Sequence, residues 1–226
     1  MHAERQAVFL AGQSRHCVAG FDPAPAISAI LARAPAEVDA GLSLELAFEQ
    51  DFAVLDGDSA TLPWLCVCNP SHWAPEDKLG LHFAALHARV ADSAALLAAS
   101  RQLVQLVTAG ECWERFVWTV SPSCRYDQHP RRHPRTRWPS ADDVESFAAN
   151  CFLRTERQTF FPVGQGTRQA VFTIQVSLQP LAQALNTSAD ARRLHDAIAS
   201  MSQTVLDYKN LAEARAPLLS WLSGRS

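Results

Sequence analysis

Lysine is almost missing from this chain: Lys78 and Lys209 stand against 18 arginines in 226 residues. Such a skew reads as a compositional habit, so an isolated arginine carries little functional weight. No window of 18 apolar residues occurs, which excludes a membrane-spanning helix. The opening Met1-His-Ala-Glu-Arg5 lacks a basic start followed by an apolar core and a small-residue cleavage pattern, so the expected location is the cytoplasm. The sequence has no dinucleotide fingerprint, no cysteine cluster spaced for iron–sulfur and no flavin motif, so redox chemistry here would draw its electrons from outside. A formal charge of −3 and a pI near 6.2 supply none of the long-range attraction that general nucleic-acid or anionic-membrane binding needs.

What is present points to a globular α+β chain. With 48% hydrophobic residues, 226 positions can bury one substantial core or two small ones, and the expectation is one domain over 1–226 with helical additions at both ends. Charge is uneven along it. Seven acidic residues and no Lys or Arg lie between Glu37 and Asp58, whereas five arginines and the single Asp127 lie between Arg125 and Arg137. The six cysteines read as reduced residues. Cys66 and Cys68 share one face of a strand, and a zinc site from them and His72 lacks a second ligand pair.

The chain then divides by periodicity. Pro23 to Ala40 reads as a helix with Asp22 as its N-cap. Apolar residues alternate at Leu42, Leu44, Leu46 and Phe48, predicting a strand over 42–55, and Gly57-Asp58 turns it into a second over 61–68. A helix is expected from Ala91 to Thr108 and a strand over 113–120. Ser121 to Trp138 is a Pro- and Arg-rich loop, and a short helix starts at Ser140. Strands over 151–161 and 168–178 face each other across Gly164-Gln-Gly166. From about 180 to 223 the pattern is helical. Two strands, a helical crossover and three strands predict a PAS-like antiparallel sheet of about five strands with helices over one face, followed by C-terminal helices.

The most informative stretch is Cys68-Asn-Pro-Ser-His-Trp-Ala-Pro-Glu-Asp-Lys-Leu-Gly-Leu-His-Phe-Ala-Ala-Leu-His87. Pro75 fits the first turn of a short helix, with Glu76 and Asp77 at its positive end. Leu81, Phe83, Ala84, Ala85 and Leu86 form an apolar wall that ends in His87. An imidazole in that setting suits an axial metal or heme ligand, although a histidine at the end of an apolar run is more often a core residue bonded to backbone.

Asn-Pro-Ser-His-Trp-x-Pro-Glu-Asp-Lys-x-Gly followed by Leu-His resembles the heme-dependent oxidative N-demethylase family. Three further segments agree in order: Arg115-Phe-Val-Trp-Thr-Val120; Leu153-Arg-Thr-Glu-Arg-Gln-Thr159 with the strand after it; and Tyr208-Lys-Asn-Leu211. Both lysines fall in matching segments. The chain departs from the family pattern at Leu86-His-Ala-Arg-Val-Ala-Asp92 and at Val117, where the family usually has Asn.

The resemblance implies the PAS-like fold, heme b with His87 as axial ligand, and oxidation of an N-methyl group of a small amine with dioxygen. The resulting carbinolamine would collapse to formaldehyde and the demethylated amine. Electrons would come from a partner reductase or ferredoxin-like donor, and an acidic carrier could dock on Arg125 to Arg137, a stretch that otherwise reads as a solvated loop. Candidate cofactor-binding residues are His87, Trp73, and, for the propionates, Lys78, Arg154 and Arg157. Strand alternation sends Arg154 and Arg157 to opposite faces, and Arg157 is preferred. Val117 is the candidate position altered in catalysis. A PAS-like sensor of heme or a small ligand, and a cofactor-free scaffold, are the alternatives. A thiolate-ligated heme is a further minor one.

Overall fold

In the computed structural model, which describes residues 1–39, 41–88 and 90–225, a six-stranded antiparallel sheet is flanked by eleven α-helices. The chain begins with α1 (His2–Leu10), β1 (Arg15–Cys17), α2 (Ala24–Leu31) and α3 (Leu44–Ala47), then the hairpin β2 (Asp51–Asp56) and β3 (Thr61–Cys66). A 3-10 turn at Pro75–Asp77 leads to α4 (Phe83–His87), α5 (Ala94–Ala98) and α6 (Ser100–Thr108). Next come β4 (Trp113–Ser121), α7 (Val144–Ala149), β5 (Phe152–Pro162) and β6 (Gln169–Pro180). The chain closes with α8 (Leu181–Ala184), α9 (Ser188–Ala199), α10 (Gln203–Tyr208) and α11 (Arg215–Ser223). The strand order is β1-β3-β2-β6-β5-β4. Ala40, the end of the expected first helix, and Arg89 of the altered family motif lie outside the described residues.

The α+β class and the antiparallel sheet follow the sequence pattern, but the helix expected over 23–40 spans only Ala24–Leu31, and three further details differ. Leu42 to Phe48 is not a strand. Leu44 and its neighbour Glu45 are both buried, which alternation forbids and the turn of α3 permits. Leu44 joins the core beside Phe52, while Glu45 meets Ser14 and Arg15. The short β1, held to β3 from Arg15↔Cys66 to Cys17↔Trp64, makes a sixth strand. Helices also cover both faces of the sheet rather than one.

Register shows why both faces need covering, because directly paired residues of antiparallel strands share a face. On one side Phe52, Val54, Trp64, Cys66, Phe161 and Val171 pack under α2, and Val120 and Leu153 pack under α7, α9 and α11. On the other, Ala53 and Leu65 meet Trp73 and Leu79, while Leu55 and Phe160 meet Phe83, Val104 and Val107. The β5–β6 hairpin turns through Gly164, Gln165 and Gly166, all at positive φ, which is why two glycines stand there.

Two carboxylates of the acidic run from Glu37 to Asp58, those of Glu45 and Asp51, are buried. Asp51 pairs with buried Arg5 at 2.7 Å, and Glu45 accepts two bonds from Arg15 and one from Ser14. Burial alone would raise the Glu45 carboxyl, but the bonds from Arg15 and Ser14 outweigh it and bring it down to about 2. A depressed folded-state value means stabilisation present above the unfolded value, near 4.5, and lost as pH falls towards about 2. Glu45→Gln is therefore expected to lower Tm at pH 7, with the gap to wild type shrinking between pH 5 and pH 2. A gap independent of pH would contradict this.

Candidate functional site

The Asn-Pro-Ser-His-Trp segment leaves the sheet at the end of β3 under tight constraint. The Asp51 carboxylate accepts from the backbone N–H of Cys68 at 2.9 Å and Asn69 at 2.8 Å. His72 sits at φ 61, an uncommon conformation for a non-glycine residue that redirects the chain towards Trp73. Trp73 then packs on Ala53, Leu65 and Val67. Burial, reinforced by the charges of Arg135 and Arg154, pushes the His72 imidazole down to about 4.

Arg154 organises this corner. From one face of β5 its buried guanidinium donates to Ser71 Oγ at 2.8 Å, Asn69 O at 3.1 Å, Tyr126 O at 3.0 Å and Arg125 O at 3.1 Å. Four acceptors consume most of its five donors. Arg157 points the other way. It pairs with Glu114 on the solvent side and borders a groove of about 400 Å³ floored by Phe48, Phe52 and Phe161. The preference for Arg157 beside His87 is thus reversed by the sheet: Arg154 shares a face with the histidine, and it is already committed to the backbone.

His87 ends α4 on the face that carries Arg154. Its ring lies 4.2 Å from that of Phe83, which packs against Leu55 and Phe160. Nδ1 contacts the Phe83 carbonyl at 2.8 Å. Since a carbonyl only accepts, Nδ1 carries the proton, and Nε2 makes no hydrogen bond among the described residues, the arrangement that fixes a metal-binding imidazole. Burial depresses its pKa, the Phe83 carbonyl opposes this, and the charges of Arg115 and Lys78 add to the depression, so the ring is biased towards its neutral form. Lys78, half-buried after the Pro75–Asp77 turn, stands close enough to act on the ring. Neither α4 nor α5 buries a residue fully, so this wall is not packed shut. His82 differs: its Nδ1 accepts from Ala84 N at 3.2 Å as the cap of α4.

Between His87 and the Ser71 corner lies a polar cluster. Arg115, Val117 and Thr119 of β4 pair with Gln158, Glu156 and Arg154 of β5, so all six side chains share this face. Glu156 accepts from Ser71 Oγ and from Gln158 Nε2, and its charge reaches Arg115, Tyr208 and Lys209. Lys209 donates to Trp118 O at 2.7 Å, closing part of the outer edge of β4. Arg115, Glu156, Gln158 and Tyr208 were absent from the expected site residues. The signal was available: the alternation that separates Arg154 from Arg157 also puts Glu156 and Gln158 beside Arg154.

The arginine-rich loop is built rather than merely solvated. Asp127 is buried and holds Arg132 at 2.8 Å and His133 at 3.2 Å, while Arg131 pairs with Glu76 and Asp77. Arg125, Arg135 and Arg137 remain exposed. Among the described residues no three His, Cys, Asp or Glu side chains gather to hold a metal ion, Cys66, Cys68 and His72 included. An iron here would rest on a single protein ligand and a macrocycle. The residues present fit that group: an Nε2 that makes no hydrogen bond among the described residues, an aromatic packing partner at Phe83, and the cationic Lys78 near enough to the ring to meet a propionate.

No curated protein matches the sequence. The family described as Haem-dependent oxidative N-demethylase, alpha subunit-like, matches residues 36–219, a span that begins before β2 and ends inside α11 and so takes in His87 and the whole polar cluster. The chain belongs to that family.

Proposed function

We propose that this chain is the heme-bearing component of an oxidative N-demethylase, with heme b held through His87 Nε2 and a small methylated amine bound beside Glu156. The observation that carries the reading is the His87 geometry: an imidazole biased towards its neutral form, oriented by the Phe83 carbonyl, presenting a nitrogen without a hydrogen bond among the described residues on a face that also holds Arg115, Lys78 and a carboxylate. Bound heme would supply the redox chemistry, using dioxygen and external electrons to oxidise an N-methyl group whose carbinolamine then releases formaldehyde. The protein's part is to fix the imidazole, meet a propionate with Lys78, and hold the substrate nitrogen against Glu156. Electrons would come from a partner reductase or ferredoxin-like donor in the cytoplasm, docked at exposed Arg125, Arg135 and Arg137.

Taken without the three-residue β1, the strand order β3-β2-β6-β5-β4, with α4 to α6 crossing between β3 and β4, supports a single PAS-like domain. Formaldehyde release from a panel of methylamines, with oxygen and a reducing partner, tests the reading. Heme-loaded protein that consumes oxygen and yields no formaldehyde would contradict it and favour the sensor reading. Val117 is what supports that second reading, since it places no hydrogen-bond donor opposite Glu156. Val117→Asn is expected to raise turnover about a hundredfold or more, as a donor aimed at developing charge is worth roughly 2.7–4 kcal/mol. No change would clear position 117 of a catalytic role.

A further inference from the structure

One amide spans the two charges of the site face. Gln158 Nε2 donates to Glu156 Oε2 at 2.7 Å, and Gln158 Oε1 accepts from Arg115 Nε at 2.7 Å. The outer nitrogens of Arg115 make no hydrogen bond and no ion pair among the described residues, and the side chain is exposed on β4. Glu156 keeps a second lone pair on each oxygen. Tyr208, 54% exposed, completes the cluster. Burial and the charge of Glu156 raise its hydroxyl pKa, and Arg115 opposes them, so both charges reach the phenol.

A group that fits over Gln158 therefore needs a donor at one end for Glu156 and an acceptor at the other for Arg115. An amide sets its nitrogen and oxygen apart across one carbon; an α-amino acid sets its ammonium and carboxylate oxygens apart across two. A simple methylammonium would use Glu156 and leave the guanidinium fork facing no charge. A carboxylate fills that fork with paired N–H···O bonds, the strongest geometry that arginine offers.

We propose that the substrates are N-methylated α-amino acids, with the ammonium on Glu156 and the carboxylate on the outer edge of Arg115. This rests on the reading above that the face binds methylated amines. The test is calorimetric titration of the wild-type chain with N,N-dimethylglycine and with dimethylamine. Dimethylglycine is expected to bind about tenfold more tightly or better, since a charge-assisted bidentate pair is worth at least one decade. In Arg115→Gln that ratio should fall to within about twofold, and Arg115→Lys, which keeps the charge and loses the fork, should recover part of it. Equal binding of the two ligands by wild type, no binding of dimethylglycine, or a ratio untouched by Arg115→Gln would overturn the proposal. So would an Arg115→Gln protein that loses heme while keeping its selectivity, which would assign the fork to a propionate. Calorimetry requires neither heme nor turnover, so a wild-type protein that binds no heme would sink the redox reading and leave this ratio measurable.

Discussion

Arg154→Ala is expected to destabilise the protein by about 3–4 kcal/mol, lowering Tm by roughly 10 °C, whatever it does to ligand binding. The side chain is 2% exposed and ties β5 to two separate loops through Ser71 Oγ and the carbonyls of Asn69, Arg125 and Tyr126. Truncation would leave those acceptors buried without donors and remove a cation on which Glu156, Asp51, Glu4 and Asp127 act. Arg154→Lys would keep the charge but cannot serve acceptors spread over two loops, so it should recover less than half of the loss. Arg157→Ala makes the contrast. It breaks an exposed pair with Glu114, and a change within about 1 kcal/mol is expected. Thermal melts of the three variants decide it, and an Arg154→Ala protein melting within 2–3 °C of wild type would show that the corner is held by other contacts.

The strands were legible where alternation was reinforced by turn chemistry. β5 and β6 carry both, and their predicted bounds of 151–161 and 168–178 lie within two residues of Phe152–Pro162 and Gln169–Pro180. Alternation failed at Leu42 to Phe48. Period two cannot show that Glu45 has a buried arginine-bound role, because Ser14 and Arg15 lie some 30 residues away. The same applies to α1 and β1. Neither has a strong local signal, and each is fixed by a distant partner: Arg5 by Asp51, and Arg15 to Cys17 by the edge of β3.

At the site, the sequence singled out His87 and the Pro-Ser-His-Trp turn and preferred Arg157 to Arg154, whereas the fold turns Arg157 to the face away from His87. Arg154 and Arg157 look alike as residue types; only the fold shows one spent on backbone carbonyls and the other turned to solvent. Arg115 entered the sequence reading only as part of a family motif. Its free fork becomes meaningful once β4 pairs with β5 and sets it beside Gln158. Val117 gained a position by the same pairing, opposite Glu156.

His87→Ala is expected to abolish heme retention while leaving the fold unchanged. The ring is only half-buried, its one hydrogen bond among the described residues is local to α4, and its packing is with Phe83 of the same helix, so little of the core depends on it. A heme iron held by one protein ligand has no second anchor, so its loss should lower heme occupancy by more than an order of magnitude. His72→Ala and His82→Ala should retain heme, since the first ring is held by the turn at the far corner and the second caps α4.

Whether His87 holds heme is decided by the optical spectrum of the purified wild-type chain, produced with ample heme and set beside that of His87→Ala. A Soret band is expected in wild type and absent from the variant, with equal far-ultraviolet circular dichroism for both. A wild-type protein without a Soret band, or a band that survives His87→Ala unchanged, would contradict ligation through His87.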